Sequence, residues 1–183
     1  SASFALIAYL TAWMKYHYHD VFTAALLNAW PMGFYEPATI VNDARRHGVT
    51  MLPIDINHSD WACILEPDCT YIGNHKHFAV RMGLRFVKRL SNNSVVAIRR
   101  ERAKQPFKSV KDLVRRLPCL QHDELIKLAE SGALNNLKMY PAESGQRRSN
   151  LWQVLAATQW RSQKKSYILP TSDPERIFAP LDR

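Results

Sequence analysis

The spacing of apolar residues divides the first fifty positions into three predicted helices. Over Ser3–Tyr18, apolar side chains cover much of the circumference of a helix, which predicts an element buried on several sides. A second apolar helix is predicted over Val21–Trp30. A third is predicted to begin at Pro37 and to end at His47, with Gly48 just beyond it, because proline suits the first turn of a helix and glycine the position after the last.

Shorter apolar stretches follow and predict a small β element. Strands are expected over Val49–Ile56, Trp61–Leu65 and Phe78–Met82. Pro67–Asp68 and Gly73 are expected to form turns between the later strands, since both residue types interrupt regular structure.

From residue 83 the helical spacing returns in two consecutive helix–turn–helix units. In the first unit, the apolar residues between Gly83 and Leu90 predict a short helix. Ser91 is placed to cap a second helix, and Pro106 ends it, because a serine side chain accepts from the first free amides of a helix. The join between these helices is only a few residues long.

The second unit carries clearer boundary signals. Ser109 with Asp112 resembles a capping box that opens a helix over Val110–Leu117. A further helix is predicted over Gln121–Glu130, with Gly132 just past its end. The two units together predict a tandem helix–hairpin–helix domain within a mainly α fold.

The distribution of charge adds a domain boundary to this picture. The chain of 183 residues has a formal net charge of +9. Residues 1–75 carry three basic and seven acidic side chains, whereas residues 76–183 carry 22 basic and nine acidic ones. We therefore predict a first domain at 1–75, the tandem helix–hairpin–helix at 76–140, and a terminal part at 141–183. That last part is predicted to contain a helix over Arg148–Arg161 and then an irregular tail.

Basic residues are concentrated in the first helical unit. Between Lys76 and Arg116 there are thirteen basic and two acidic side chains, and a stretch at net +11 favours an anionic partner such as a nucleic-acid backbone. A short helical hairpin also directs backbone N–H groups at one place, which suits a phosphate. The alternative is a pair of helical hairpins with ordinary solvated charges. The predicted DNA contacts are Arg81, Arg85, Lys88, Arg89, Arg99, Arg100, Arg102, Lys104, Lys108 and Gly132.

The cysteines and histidines give weak metal signals. Cys63, Cys69, His75 and His77 have zinc-ligand chemistry, but the spacing C-x5-C-x5-H-x-H matches none of the common structural sites. With Cys119, the three cysteines provide no disulfide framework, which favours a reducing cytoplasm. No apolar run is long enough to span a bilayer, so no membrane partner is predicted.

No catalytic group is predicted from the residues. Two-metal phosphoryl transfer needs clustered carboxylates, and the sequence contains no D-x-D pair. It also lacks a phosphate-binding G-x-x-x-x-G-K loop, a G-x-G-x-x-G loop and an H-E-x-x-H pair. The sequence predicts a binding surface, with no catalytic residue, metal ligand or cofactor assigned.

Several segments resemble bacterial C-family DNA polymerases of the alpha-subunit type. SASFALIAYLTAWMKYHYHDVFTAALLN is similar to the end of the fingers domain, and LPIDINHSDW to the segment after it. VRMGLRFVKRLS, PFKSVKDLVRR and LIKLAESGALNNL resemble the tandem helix–hairpin–helix of that family. The stretch PMGFYEPATIVNDARRHGV resembles the error-prone translesion branch. The resemblance covers about residues 1–160 in collinear order.

The resemblance implies that this segment belongs to a much longer polymerase. The PHP domain and the palm with its catalytic aspartates would lie upstream, Mg²⁺ would be used there, and this segment alone would be inactive. It would hold duplex or primer–template DNA during damage-induced, error-prone synthesis. Lys15 and His17 would face the nucleotide or template. A sliding clamp and an inactive Y-family protein are further implied partners.

One residue departs from the family pattern, and two other protein classes remain alternatives. The family has glycine where Arg89 stands, and arginine resists a positive φ, so a distorted first hairpin is expected.

One alternative is a stand-alone helix–hairpin–helix DNA-binding module with no exposed apolar face over residues 3–30. The other is a helix–hairpin–helix glycosylase, which the hairpin sequence KRLS disfavours because that class needs a glycine-rich hairpin.

Overall fold

The computed structural model describes residues 2–33, 35–72, 75–137 and 146–166, and this part of the chain is mainly helical, as predicted. Its helices are α1 (Ala2–His17), α2 (His19–Ala29), α3 (Pro37–Arg46), α4 (Asn92–Lys104), α5 (Val110–Arg116), α6 (His122–Ser131) and α7 (Gln146–Ser166). Its strands are β1 (Met51–Leu52), β2 (Ile64–Ile72) and β3 (His75–Arg81), and a 3-10 helix spans Leu84–Phe86.

The three strands form one sheet in the order β1-β3-β2, with β1 parallel and β2 antiparallel to β3. The predicted strand over Val49–Ile56 is only partly correct, because pairing is confined to β1. The turn predicted at Pro67–Asp68 is wrong, since both residues lie inside β2. Proline is tolerated there because β2 is an edge strand, and the register shifts between Pro67 and Tyr71. Gly73 lies outside the described residues.

Two buried apolar clusters support the fold. The smaller cluster packs α2 and α3 against the sheet and contains Ala24, Leu27, Ile40, Ala44, Val49, Cys63 and Val80. The larger cluster joins the two helical hairpins to α7 and includes Leu84, Val87, Leu90, Ile98, Leu113, Leu117, Leu120, Leu125, Leu128 and Val154. The terminal helix is longer than predicted, and of the predicted irregular tail, residues 167–183 lie outside the described part.

The first helix is exposed, contrary to the prediction that it is buried on several sides. None of its residues is buried, and the side chain of Phe4 is 80% exposed. Helix α1 touches the rest of the described chain near its C-terminal end, where Lys15 pairs with Asp43 and Trp13 packs against Tyr18. The apolar pattern over α1 therefore has no matching packing surface within the described residues.

A polar segment between β1 and β2 ties the sheet to the helical hairpins. Asn57 donates to the carbonyl oxygen of Phe107 at 3.0 Å and accepts from its amide at 2.9 Å. The hydroxyl of Ser59 donates to the Met82 carbonyl oxygen at 2.8 Å, and buried Asp55 accepts from Asn136. These bonds explain why the strand predicted through Ile56 stops early and why the L-P-I-D-I-N-H-S-D-W segment is rich in polar residues.

Candidate nucleic-acid interface

Hairpin one, residues 87–91, connects the 3-10 helix to α4. Val87 and Leu90 are buried and fix its ends in the larger apolar cluster. Ser91 caps α4 as predicted, because its hydroxyl oxygen accepts from the amide of Ser94 at 3.1 Å. The loop tip between the two buried residues is Lys88–Arg89, and both side chains are exposed.

Several backbone amides in hairpin one and in the first turn of α4 lack an acceptor within the described part of the protein. Among the residues that the structure describes, no acceptor bonds the amide N–H of Lys88, Arg89, Asn92 or Asn93. The first turn of α4 also contains no acidic residue. Free amides at a helix N-terminus carry partial positive charge, and they suit an anion such as a phosphate oxygen.

Arg89 occupies the position where the resemblance implies glycine. It has a φ of 62°, a left-handed conformation that costs a non-glycine residue about 1–2 kcal/mol. Arg89 thus adopts the positive φ that arginine was expected to resist, and the expected distortion of the first hairpin stays a prediction. Its guanidinium lies 3.0 Å from a carboxylate oxygen of Asp123, with both side chains exposed.

Hairpin two, residues 117–121, connects α5 to α6 and repeats the pattern of buried ends. Leu117 and Leu120 are buried, and Gln121 occupies the capping position before α6. Its polar chemistry differs from that of hairpin one. Pro118 has no amide N–H, and the first turn of α6 contains Asp123 and Glu124. A phosphate would meet fewer donors and more negative charge here.

Glu124 joins the two hairpins. One of its carboxylate oxygens accepts from the Ser91 amide at 3.1 Å and from the Ser94 hydroxyl at 2.7 Å. The other accepts from the Gln121 amide at 3.0 Å. Burial opposes ionisation of this carboxyl, but the bonds from Gln121, Ser94 and Ser91 together hold its pKa below the ordinary value. The N-terminal ends of α4 and α6 are therefore held by one charged group.

Three of the predicted DNA contacts are directed into the protein. Arg81 forms a two-pronged ion pair with Glu66. Arg85 donates to the carbonyl oxygens of Asn28 and Trp30 at the end of α2. Arg102, predicted to be exposed, is partly buried and donates to the carbonyl oxygens of Ile56 and Ser59. A guanidinium with five N–H groups suits such internal carbonyl capping.

The remaining predicted cations are exposed. Lys88, Arg100 and Lys108 have no acidic partner within 4.0 Å among the described residues. Arg99 lies 3.4 Å from Asp60, and Lys104 lies 2.6 Å from Glu101.

Gly132 and the two residues predicted on the first helix lie away from hairpin one in the chain. Gly132 ends α6 with a φ of 83°, as predicted for a residue after a helix, and belongs to the connection toward α7. Lys15 is 3.0 Å from Asp43, and the ring of His17 packs against Trp13 with centroids 4.6 Å apart. Their predicted contacts with DNA or nucleotide stay predictions.

The model of the helix-hairpin-helix motif family matches residues 48–144, which is more than half of the chain. The chain belongs to the helix-hairpin-helix family. The match covers both hairpins and the polar segment that ties them to the sheet.

Curated relatives extend the comparison to the helical residues before this motif. The chain is 43% identical over 157 residues to the error-prone DNA polymerase of Alkalilimnicola ehrlichii, covering 86% of the chain and 14% of the relative. It is 39% identical over 182 residues to that of Bordetella parapertussis, covering 100% of the chain and 16% of the relative. It is 46% identical over 158 residues to error-prone DNA polymerase 2 of Rhizobium meliloti, covering 85% and 13%. The resemblance to error-prone DNA polymerases is confirmed, and the chain spans about one seventh of their length.

The role of Glu124 in this helix-hairpin-helix unit was missed in the sequence. The spacing Gln121-x-x-Glu124 is a capping-box pattern and could have indicated the bond within α6. Its bonds to Ser91 and Ser94 join positions about thirty residues apart, so no local pattern indicates them.

The zinc hypothesis for the cysteine–histidine spacing gains no support from the described residues. Burial raises the pKa of the Cys63 thiol, which disfavours the thiolate that zinc binds. His77 lies 4.0 Å from Asp20. The side chains of Cys69 and His75 lie outside the described part. Among the described helices, none combines the length and apolar character needed to cross a membrane.

Proposed function

We propose that this helix-hairpin-helix chain holds duplex or primer–template DNA by its phosphates, without reading base sequence, as part of an error-prone DNA polymerase. The observation that carries the proposal is that hairpin one and the first turn of α4 together contain four unpaired amides, at Lys88, Arg89, Asn92 and Asn93, and that the side chains of Lys88 and Arg89 are exposed beside them. Backbone amides and flexible cations bind phosphate oxygens equally well in any sequence, so little sequence preference is expected.

The proposed contact set differs from the residues predicted at the start. Arg81, Arg85 and Arg102 are omitted because their side chains are partly buried and their guanidinium groups bind protein acceptors, whereas the retained cations are exposed even where they pair with a carboxylate. The exposed cations of the set are Lys88, Arg89, Arg99, Arg100, Lys104 and Lys108. If four to six phosphates are neutralised, log K should fall against log salt concentration with a slope of about −4 to −5.

Fluorescence anisotropy of labelled duplex across salt concentrations tests this proposal. Replacing Arg99 and Arg100 together by alanine should flatten the slope by about one to two units and weaken binding to unrelated sequences alike. A matched control replaces Arg45 and Arg46, an exposed pair at the end of α3 that loses the same charge. A wild-type slope near zero, or equal effects of the two double variants, would count against the proposed surface.

The parent activity is part of the same proposal. The relatives are named error-prone DNA polymerases. We propose that the longer polymerase performs damage-induced translesion synthesis in the cytoplasm. Its palm and PHP domains, outside the segment that matches here, would use Mg²⁺. A sliding clamp and an inactive Y-family protein are proposed as its partners. Primer extension with the purified chain should give no nucleotide incorporation. Clear incorporation would contradict the proposal that this segment binds DNA while another part of the polymerase catalyses synthesis.

A stand-alone DNA-binding module is the second candidate. That alternative requires no exposed apolar face over residues 3–30, whereas Phe4, Ile7 and Tyr9 are 80%, 61% and 66% exposed. Large exposed apolar patches usually mark interaction surfaces or cause aggregation. A sharp monomer peak in size-exclusion chromatography with no binding of a hydrophobic dye would favour the stand-alone module.

A further inference from the structure

Two histidines and an aspartate converge at the junction of α2 and α3, away from both hairpins. His19 is the first residue of α2, and Asp43 and His47 lie four residues apart near the end of α3. One ligand atom from each residue lies within 4.8 Å of the other two. The Asp43 carboxylate is 3.9 Å from His19 Nε2 and 3.4 Å from His47 Nδ1.

The fold places this cluster on a supported surface. Residues four apart on a helix share a face, so Asp43 and His47 both point toward the start of α2. Leu27 and Ala44, both buried in the smaller apolar cluster, pack the two helices beneath it. The rings of His19 and His47 are stacked at 22°, with centroids 4.6 Å apart. The ring of His47 is also oriented by its contact with the Asp43 carbonyl oxygen at 2.8 Å.

The cluster already attracts a cation of the protein itself. The ammonium of Lys15 lies 3.0 Å from one carboxylate oxygen of Asp43. Burial, and then the nearby His47 and Lys15, lower the pKa of His19, which keeps its ring neutral and its nitrogen lone pair available at neutral pH. A neutral imidazole is the form that binds metal ions.

We propose that His19, Asp43 and His47 form a binding site for a divalent transition-metal ion of the zinc class, with water completing the coordination. Two imidazoles and one carboxylate form a common ligand set for zinc. Bonds of about 2.0–2.1 Å require the ligand atoms to approach one another more closely than they do now. Rotation of the exposed His47 side chain and release of Lys15 from Asp43 would supply that movement.

Calorimetric titration of the whole chain with zinc chloride tests the proposal, and cobalt absorption spectra provide a second readout of imidazole ligation. One saturable site is expected. His19→Ala and His47→Ala should each weaken zinc binding by more than the ~10–100-fold that loss of an outer hydrogen-bond partner costs a metal site. His122→Ala, which removes an exposed histidine at the start of α6, is the matched control and should bind zinc as the wild type does.

A fourth variant keeps all three ligands and separates metal binding from damage to the fold. Lys15→Gln removes the competing ammonium, so it should tighten zinc binding by several-fold while leaving the three ligands intact. The proposal would be overturned by absence of saturable zinc binding, by unchanged affinity in His19→Ala and His47→Ala, or by weaker binding in Lys15→Gln.

Discussion

The two hairpins have the same backbone plan and different polar surroundings. Each connects two helical segments through a short loop whose buried ends are Val87 and Leu90 in one and Leu117 and Leu120 in the other. Hairpin one exposes free amides and two basic side chains. Hairpin two contains Pro118 and precedes an acidic first turn of α6.

This contrast separates what the motif needs for folding from what it needs for binding an anion. Buried apolar residues at the loop ends are common to both hairpins, so they belong to the folding of the motif rather than to anion binding. Anion binding also needs unpaired donors, and among the described residues both hairpins have some, including the amides of Cys119, His122 and Asp123 at hairpin two. Hairpin one has one donor more, at Lys88 where hairpin two has Pro118, and no acidic residue in the following turn. The carboxylate of Glu124 accepts from the Gln121 amide of hairpin two, where it caps α6. It also accepts from the Ser91 amide of hairpin one.

The largest expected effect comes from removing the group that both hairpins share. Glu124→Ala should reduce the free energy of unfolding by about 2–4 kcal/mol, because the buried Ser94 hydroxyl and the partly buried amides of Ser91 and Gln121 lose a charged acceptor. Urea denaturation followed by circular dichroism measures the change. Glu130→Ala removes an exposed carboxylate of the same helix and should cost less than about 0.5 kcal/mol. Similar losses in both variants would contradict the shared role of Glu124.

The next effect tests the amides of hairpin one by copying a feature of hairpin two. Lys88→Pro removes a charge and an N–H, whereas Lys88→Ala removes the charge alone. Val87 has φ −77° and ψ 116°, which a following proline tolerates. We expect Lys88→Ala to flatten the salt slope of duplex binding by about one unit. Lys88→Pro should weaken binding by about a further tenfold, since a net hydrogen bond to a charged group is worth about 1.5–3 kcal/mol.

The reverse substitution in hairpin two provides the control. Cys119→Arg adds an exposed cation to that loop, next to Pro118 and before Asp123. Because donors are fewer and a carboxylate is near, it should change duplex affinity by less than about twofold. If Cys119→Arg raised duplex affinity by as much as Lys88→Pro lowers it, charge alone would distinguish the two hairpins, and the difference in backbone amides would not matter.

A smaller effect concerns pH. The pKa of Glu124 in the folded protein lies below its ordinary value of 4.5, so its charged form contributes stability that is present above about pH 4.5 and is lost as pH falls through the lower folded value. Glu124→Gln lacks this ionisation and should be less stable by about 1 kcal/mol at pH 7, with the difference shrinking below pH 4.5. Thermal unfolding of both proteins from pH 3 to pH 7 measures it, and a constant difference would exclude the charge of Glu124 as the cause.

The smallest effect is at Arg89. Arg89→Gly removes the left-handed strain and should raise the free energy of unfolding by about 0.5–1 kcal/mol. Since the loop already has the required backbone shape, duplex affinity should fall by about two- to threefold through the lost charge. Lys88→Gly loses the same charge at a position without a positive φ, so it should give no gain in stability. Tighter DNA binding by Arg89→Gly would mean that arginine does harm the hairpin.

The elements that local patterns encode were predictable from the sequence. Ser91 and Gly132 mark helix ends through bonds within a few residues, Pro37 marks the start of α3 through its fixed backbone angle, and all three lie where those patterns place them. The extent of β1 was not predictable, because bonds from Asn57 and Ser59 to distant carbonyl oxygens of Phe107 and Met82 decide where extended pairing stops.

The candidate interface was predictable in its location but not in the roles of its residues. A run of basic residues shows where positive charge concentrates. It does not distinguish Arg100, which faces solvent, from Arg102, whose guanidinium binds carbonyl oxygens 46 and 43 residues earlier in the chain. That difference depends on which face of α4 packs against the polar segment at 55–59, a tertiary contact that composition does not show.

Arg85 links the segment before hairpin one to the end of α2. It lies in the 3-10 helix that leads into the hairpin, and its guanidinium bonds the carbonyl oxygens of Asn28 and Trp30 at the end of α2. If DNA binds at Lys88 or Arg89, a displacement of that loop would be transmitted through Arg85, only a few residues away, to the C-terminal end of α2. Hairpin one and helix α2 would then move together when DNA is bound.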